Sequence, residues 1–482
     1  MLLVGGIIVG CVYLFGMTMC WYATPILVFF IYIFPMMAVG FWVHSVFVCR
    51  ERGDRVKARM DYKFLQNRIY RLSETLHLDT ESAHYDATLI IYSVFLLLMT
   101  IFGILSAYIF MIVVVFGLLR EPILFAYEKI TKKDLSSQII FIVQTICLSP
   151  AFFLLSYCAN LFIGFFIPVM GRFGNSLLPE LFIMPLALVI SLLFVLLTAN
   201  LVYLTRPCSL LFKIVLAFYL LIFVIIISTR IGNPYKWRND GSPRLRRLIA
   251  IHTKRTAYEY DGRIKSSDVG MFYQSMDYRG VGDLPKHSLF NGSRPDCSQF
   301  SDAYCQLPYY TPVLSMMPWE KSSWVQTNDE PSIKSPLKIE LLDRHSIDDS
   351  KFGQHINFSI SVKGGMDKMQ LHLTPLRGYK LKALSFIQLD LEKKVDDSYF
   401  VFWTYGYKAP EERRFWNNTE IKETNKSASL EIVAVTHQVH GPYQQSKSLS
   451  ELQNKIVEQR TSDWKWGITL TYGTSEVVSN LF

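Results

Sequence analysis

The chain has 482 residues, of which 51% are hydrophobic and only 18% are charged. This composition excludes a disordered, collagenous or disulfide-stapled small protein, and it is too apolar for an ordinary soluble enzyme. The formal net charge of +9 is spread among clusters that flank apolar segments, so it does not indicate nucleic-acid binding. Hydropathy divides the sequence into an apolar part, residues 1–229, and a polar part, residues 230–482.

The N-terminal part predicts a polytopic membrane region. Residues 1–49 contain no Lys, Arg, Asp or Glu, and a bilayer-crossing helix needs about 20 apolar residues. The third and fourth of six charge-free blocks are so long that each is one tilted helix or two helices broken near Gly103 or Pro150. The six blocks are Leu2–Tyr22, Ile26–Val48, Ala87–Leu119, Gln138–Gly171, Leu181–Leu204 and Ser209–Thr229.

Lys and Arg residues between the blocks predict the orientation. The loop 49–87 is strongly basic, which places it in the cytosol. A second basic cluster, from Arg230 to Arg255, would by itself place the C-terminal part in the cytosol as well. Long domains translocate largely regardless of charge, however, so we give more weight to other residues of that part.

Sequons and cysteines favour a lumenal C-terminal part. Cys297 and Cys305 are its only cysteines, and we expect a local disulfide rather than a metal site because two further ligands are missing. A lumenal domain requires an odd number of crossings after the cytosolic loop, so one long block must split, giving about seven spans. The four N-x-S/T sequons, predicted glycosylation sites, are Asn291, Asn357, Asn417 and Asn425.

Few ionisable residues fall inside the predicted spans. His44 and Lys213 lie near span ends, where snorkelling accounts for them. Gln144 and Asn160 are polar, and such residues more often join helices than bind a substrate. Carriers usually need ionisable residues inside the bilayer, so the sequence favours anchoring over transport.

The C-terminal part predicts a mainly antiparallel β-sandwich. Apolar and polar residues alternate with a period of two in several short segments, and turn residues separate them. One helix is predicted from Leu449 to Glu458, with Ser448 or Ser450 as its N-cap. The predicted strands are Leu337–Leu342, Ile356–Val362, Met369–Leu373, Leu381–Leu389, Tyr399–Tyr405, Leu430–Ala434 and Trp466–Tyr472.

We predict no catalytic or metal-binding residues. His437 and His440 would point to opposite faces of a strand, which makes a poor metal pair. The acidic cluster around His345 (Asp343, Asp348 and Asp349) reads as a solvated polar turn. No zinc-peptidase, nucleophile-elbow, phosphate-loop or dinucleotide motif is present. Dense aromatics, among them Trp403 and Trp416, leave a ligand-stacking surface as an alternative.

A series of motifs occurs in a fixed order along most of the chain. They are Cys20–Tyr22, Phe166–Gly174, Leu178–Glu180, Lys254–Thr256, Met276–Gly280, Cys305–Pro312, Tyr399–Phe402, Phe415–Trp416 and Asp463–Trp464. In this order the chain resembles the C-terminal half of the endoplasmic reticulum metallopeptidase (Felix-ina) family. The resemblance implies a multi-span membrane region and a lumenal β-rich domain, preceded in the family by a lumenal zinc peptidase domain.

The zinc-binding residues of that peptidase domain are not found in this sequence. In the family, zinc is held by a His-x-Asp motif, a bridging Asp, a Glu-Glu pair and a later His, and this sequence shows none of them. We therefore expect no cofactor on this chain and no activity from it alone, whether it is a piece of a longer protein or a member without a peptidase.

These observations lead to one leading hypothesis and two alternatives. The leading hypothesis is a non-catalytic module of the endoplasmic reticulum membrane, with anchoring and interaction roles. Its expected partners are the lipid bilayer, a peptidase domain in cis or trans and an unidentified lumenal protein, but not nucleic acid. The alternatives are a membrane transporter with an accessory lumenal domain and a lumenal receptor for peptides or glycans.

Overall fold

The computed structural model describes residues 1–60, 66–132, 135–171, 177–201, 209–237, 243–293, 304–305, 308, 321–349, 353–365, 368–376, 378–385, 399–405, 409–421 and 428–482. Side chains of residues 48–80, 209–213 and a few single positions are outside this description. The chain divides into two compact units, and the boundary after the last apolar helix falls between Pro234 and Tyr235.

The first unit is helical. Among the described residues, five helical segments are long and apolar enough to cross a membrane, and two shorter apolar helices flank them at Leu2–Leu14 and Ala217–Ile226. A π-helical turn, Phe29–Ile33, joins α2 to α3. The helices are α1 (Leu2–Leu14), α2 (Ile26–Val28), α3 (Phe34–Met60), α4 (Gln66–Ile101), α5 (Ala107–Leu118), α6 (Arg120–Thr131), α7 (Ser137–Gly171), α8 (Glu180–Thr198) and α9 (Ser209–Ser228).

The two long apolar blocks behave differently. The first breaks between α4 and α5, at Gly103, whose φ of +66° is a left-handed conformation that glycine adopts without strain. The second is a single helix, α7, which keeps Pro150 and Pro168 inside it. A membrane helix tolerates proline because neighbouring groups satisfy the freed carbonyls. One block therefore splits, as predicted, and the break considered at Pro150 does not occur.

The predicted cytosolic loop 49–87 is helical in its described parts, because α3 continues to Met60 and α4 begins at Gln66. Helix packing uses small residues. A Cβ on Gly40 of α3 would lie 2.9 Å from a methyl carbon of Val195 on α8, so only glycine lets these helices approach so closely.

The second unit is predominantly antiparallel β structure. Its strands form a seven-stranded sheet in the order β3-β2-β1-β11-β10-β6-β8 and a four-stranded sheet in the order β4-β5-β9-β7; neither sheet closes on itself. The strands are β1 (Arg246–Tyr258), β2 (Ile264–Ser275), β3 (Ser322–Gln326), β4 (Lys338–Asp349), β5 (Gly353–Lys363), β6 (Lys368–Pro375), β7 (Tyr379–Leu384), β8 (Tyr399–Thr404), β9 (Glu412–Ile421), β10 (Leu430–Gln438) and β11 (Ile468–Leu481).

The predicted strands all occur, with shifted ends. Trp466 ends a 3₁₀ turn, and β11 begins only at Ile468. The predicted helix is α10 (Lys447–Gln459), and its N-cap is Ser446 rather than Ser448 or Ser450, because the Ser446 hydroxyl accepts a hydrogen bond from Leu449 N–H at 3.3 Å.

Four strands were not predicted: β1, β2, β3 and β9. β1 is buried along nearly its whole length, so no polar face produces alternation in its sequence. It also forms the one parallel pair among the described ladders, with β11, and is antiparallel to β2.

Two large apolar clusters and a smaller one around Val433 and Val435 hold the second unit together. In the larger one, side chains from both sheets face each other, for example Phe358 and Ile360 of β5 against Leu371 of β6 and Ile432 of β10. In the other large cluster, α10 covers β1 and β2 through its buried face, Leu449, Leu452 and Ile456. Burial of these side chains supplies the main driving force for folding of the unit.

Candidate functional site

A buried polar site lies among the membrane helices. Arg120, at the start of α6, donates from Nη2 to Glu81 Oε2 on α4. Asn200, just after α8, donates from Nδ2 to the other carboxylate oxygen, Glu81 Oε1, at 3.2 Å. Glu81 is 0% exposed and Arg120 is 2% exposed. The three side chains therefore tie three segments of the chain together inside the unit.

Tyr85 completes this polar cluster, which we define as Glu81, Tyr85, Arg120 and Asn200. The Arg120 guanidinium carbon lies 4.2 Å from the centroid of the Tyr85 ring, a cation–π contact. The Tyr85 hydroxyl donates to the carbonyl of Gly117 at 2.8 Å. A Cβ on Gly117 would lie 2.4 Å from a side-chain carbon of Leu89, so this contact between α4 and α5 requires glycine.

Helix α7 brings further polar groups to the same region. Cys147 of α7 lies near Arg120, and Gln144 lies one turn before it. Both amide atoms of Gln144, together with Arg120 Nε and Nη1, are buried without a hydrogen-bond partner among the described residues. Buried groups of this kind are usually satisfied by ordered water. The cluster is chemically able to clamp helices and to bind water.

Inspection of the apolar blocks missed this cluster. The third charge-free block covers Ala87–Leu119, so Glu81 and Arg120 lie just beyond its ends. The signal that could have found them is helical spacing, since Glu81 and Tyr85 are four residues apart and therefore lie on one helix face. His44, one of the two ionisable residues considered in the spans, is half-buried, and the Lys213 side chain lies outside the described residues.

Glu180 forms a second buried contact. It is 0% exposed, and its Oε1 accepts a hydrogen bond from Met19 N–H at 2.7 Å. Met19 has a φ of +62°, which L-residues rarely adopt, so this hydrogen bond helps to hold the turn between α1 and α2. Glu180 belongs to one of the motifs that carry the family resemblance, and its contact is structural.

The second unit contains a histidine–acid pair that the sequence did not suggest. His252 Nε2 lies 3.0 Å from Thr327 Oγ1, and His252 Nδ1 lies 4.0 Å from Asp329 Oδ2. The Asp329 carboxylate accepts from Ser448 N–H at 3.2 Å and so fixes the start of α10. Burial lowers the pKa of His252, whose side chain is 0% exposed. Through Thr327 and Asp329, His252 joins β1 to the segment that holds the start of α10.

The sequence-predicted acid and histidine groups do not converge. His437 is buried, whereas His440 is exposed. Asp343 Oδ2 and His345 Nε2 lie 2.5 Å apart on exposed side chains of β4, so the segment expected to be a polar turn is an edge strand. Among the residues that the structure describes, no three His, Cys, Asp or Glu side chains come close enough to hold a metal ion.

The predicted modification sites have different surroundings. Asn291 is exposed, and Asn357 is half-buried with its Oδ1 accepting from Asn418 Nδ2 at 2.5 Å. Asn417 is 0% exposed on β9, unlike Asn291 and Asn357, and glycosylation of these asparagines stays a prediction. Asn425 and Cys297 lie outside the described residues, and Cys305 is buried, so its disulfide stays a prediction.

The two tryptophans considered for ligand stacking occupy different positions. Trp403 packs against the larger apolar cluster, with its ring centroid 6.3 Å from that of Phe415. Trp416 is 49% exposed on the other face of the four-stranded sheet. The pair therefore does not line one surface.

Comparison with known proteins places these units. Residues 1–228 match the family profile described as "Endoplasmic reticulum metallopeptidase 1, TM domain", and residues 243–456 match "Endoplasmic reticulum metallopeptidase 1, C-terminal domain". Endoplasmic reticulum metallopeptidase 1-A of Caenorhabditis elegans is 35% identical over 398 residues, which is 80% of this chain and 44% of the relative. The human endoplasmic reticulum metallopeptidase 1 is 21% identical over 60% of this chain and 31% of its own length.

The chain thus spans less than half the length of these relatives. Among solved structures, the yeast delta-COP-I mu-homology domain covers 49% of this chain and 95% of its own, with 10% identity and a TM-score of 0.19, which is too low to argue from. The two profiles and the worm relative together show that the chain belongs to the endoplasmic reticulum metallopeptidase family, over its transmembrane and C-terminal domains.

Proposed function

We propose that this chain is the membrane-anchoring and lumenal interaction module of an endoplasmic reticulum metallopeptidase-like protein, and that it does not hydrolyse peptides by itself. The observation that supports the anchoring role is that the two opposite charges among the membrane helices are buried and paired with each other. Glu81 and Arg120 neutralise each other at 0% and 2% exposure, so they fasten helices and do not line an open path.

The relatives' names describe metallopeptidases, and the peptidase activity of the whole protein belongs in our proposal to a zinc domain acting in cis or in trans. Three of the described histidines support this assignment of the activity to another domain. His252, His372 and His437 are buried within the β unit, where they contact other protein groups. The module would hold the peptidase at the membrane and offer the β unit to a lumenal partner.

Sidedness and anchoring are tested together in microsomes. We expect the chain to resist alkaline extraction. We also expect glycosidase treatment to lower the mass of the wild-type chain, and to lower the mass of the Asn291→Gln variant by one glycan less. Asn417→Gln is the matched control and should leave the mass unchanged, because this side chain is buried. Release by alkali, or a glycan-free chain whose β unit is digested by protease added outside sealed microsomes, would contradict the proposal.

A transport role is the second candidate, and one observation favours it. The Glu81–Arg120 pair lies within two candidate spans, with unpartnered polar atoms of Gln144 buried in the same unit. Intramembrane ionisable groups often mark ion or proton pathways. Proteoliposomes containing the chain and an internal pH dye distinguish the two roles: a proton flux that disappears in Glu81→Gln supports transport, and no flux above empty vesicles supports anchoring.

A further inference from the structure

The β unit has a surface rich in tryptophans and cations, formed by residues from its beginning and from the region around α10. We define this aromatic–cation surface as Trp237, Arg279, Arg460, Trp464 and Lys465, all of them half-buried. The Arg460 guanidinium carbon lies 4.1 Å from the Trp237 ring centroid. The Arg279 guanidinium carbon and Lys465 Nζ lie 5.7 Å and 5.6 Å from the Trp464 ring centroid. Each ring therefore carries cations against its face while part of it meets solvent.

A buried tyrosine fastens this surface to the body of the unit. Tyr235 is 0% exposed and stacks on Trp464 with ring centroids 6.2 Å apart and an interplanar angle of 16°. The Arg246 guanidinium carbon lies 4.7 Å from the centroid of the Tyr235 ring, and Arg246 Nη1 donates to the Gly280 carbonyl at 2.9 Å. Tyr235, with which this part of the second unit begins, is thus held by contacts within the unit, and the partly exposed Trp464 ring that stacks on it has a fixed orientation.

Two cations of the aromatic–cation surface are not neutralised by a neighbouring carboxylate of the described residues. Arg279 is neutralised by Asp283, but Arg460 and Lys465 have no carboxylate within ion-pair distance among the described residues. Asp463, the nearest acid in sequence, accepts from Lys465 backbone N–H at 3.1 Å and caps the 3₁₀ turn. Two cations are therefore available to an anionic partner.

The segment that connects the last apolar helix to Trp237 is short. α9 ends at Ser228, and only eight residues separate it from Trp237. Eight residues span at most about 28 Å when fully extended. Tryptophan prefers the headgroup level of a bilayer, where its ring is apolar and its N–H is wet, and Lys and Arg are attracted to lipid phosphates.

We propose that the aromatic–cation surface binds phospholipid headgroups at the surface of the bilayer that anchors the chain, with Arg460 and Lys465 contacting the phosphates and Trp237 and Trp464 lying at headgroup level. This contact would fix the orientation of the β unit on the membrane. It goes beyond the anchoring module proposed above and does not depend on which side of the membrane the β unit occupies.

Hydrogen exchange of the full chain in lipid nanodiscs tests the proposal. We compare discs of phosphatidylcholine with discs that also contain phosphatidylserine, and follow peptides covering residues 457–467. The wild-type chain should exchange more slowly there in the anionic discs. In the double variant Arg460→Gln, Lys465→Gln, docking should weaken about 30-fold, which corresponds to about 2 kcal/mol for two cations near a charged bilayer.

The matched control is Arg263→Gln with Lys338→Gln, which removes two cations that are 83% and 72% exposed elsewhere on the unit; it should keep the lipid-dependent protection. Unchanged exchange in β10 shows that each variant is folded. Adding salt to the wild-type chain is an independent measurement and should remove the protection. Equal exchange of the wild-type chain in both discs, or protection retained in the Arg460/Lys465 variant or at high salt, would overturn the proposal.

Discussion

Acidification should destabilise the β unit through two buried histidines on neighbouring strands. His372 of β6 is 4% exposed beside the Phe400 ring, with ring centroids 4.9 Å apart. His437 of β10 is 8% exposed, and its Nε2 lies 3.1 Å from Gln370 Nε2. An amide nitrogen only donates, so this contact requires the ring nitrogen of His437 to be an unprotonated acceptor. Both sites therefore favour the neutral imidazole.

The size and sign of the effect follow from the pKa values. Burial lowers the pKa of His372 and of His437 from 6.5 to about 4. Between these two pH values the unfolded chain binds more protons than the folded chain, so stability falls as the pH falls from 6.5 towards 4. At pH 5 the loss is about 2 kcal/mol for each histidine, and about 4 kcal/mol for both if they act independently.

The assay is native-state hydrogen exchange of the full chain in detergent, read on β6 and β10 peptides from pH 7.5 to pH 5 and corrected for the intrinsic exchange rate. The double variant His372→Phe, His437→Gln should lose much of the pH dependence, and the buried His252 keeps its own share in both proteins. His440→Gln, which removes an exposed histidine, is the control and should behave like wild type. An equally steep loss of stability in the double variant and in wild type would refute the reasoning.

Three further predictions concern packing and capping. Arg120→Gln should lower the melting temperature of the membrane unit in detergent, because an unpaired buried Glu81 costs about 3–5 kcal/mol, and adding Glu81→Gln should recover part of the loss. Gly117→Ala should destabilise by about 1–3 kcal/mol in the same measurement, whereas Gly164→Ala, which meets no atom within 4 Å, should not. Ser446→Ala should cost about 1 kcal/mol and speed exchange at the start of α10; unchanged exchange would contradict its role as the cap.

The alternation of apolar and polar residues predicted a strand only where the side chains that face the core are apolar. β5 and β6 have such positions, Ile356 to Val362 and Met369 to Leu373, and both strands were found. β9 alternates in burial just as clearly, but Arg413, Asn417 and Thr419 are among its buried residues, so its sequence shows no apolar period. Tertiary contacts, which sequence periodicity does not contain, satisfy or enclose these polar groups.

The membrane cluster was missed for a related physical reason. A block defined by the absence of charge ends at the first charged residue, even when that residue is buried and paired with one that is distant in sequence. Glu81 and Arg120 are 39 residues apart and neutralise each other only because the break at Gly103 turns the chain back. The break itself was predictable, because glycine is the residue that adopts a left-handed conformation without strain.

The non-catalytic assignment is tested most directly by metal analysis of the purified full chain, combined with a peptide-hydrolysis assay in the presence and absence of a chelator. The account predicts far less than one zinc ion per chain and no hydrolysis that the chelator removes. Stoichiometric zinc together with chelator-sensitive hydrolysis would contradict it.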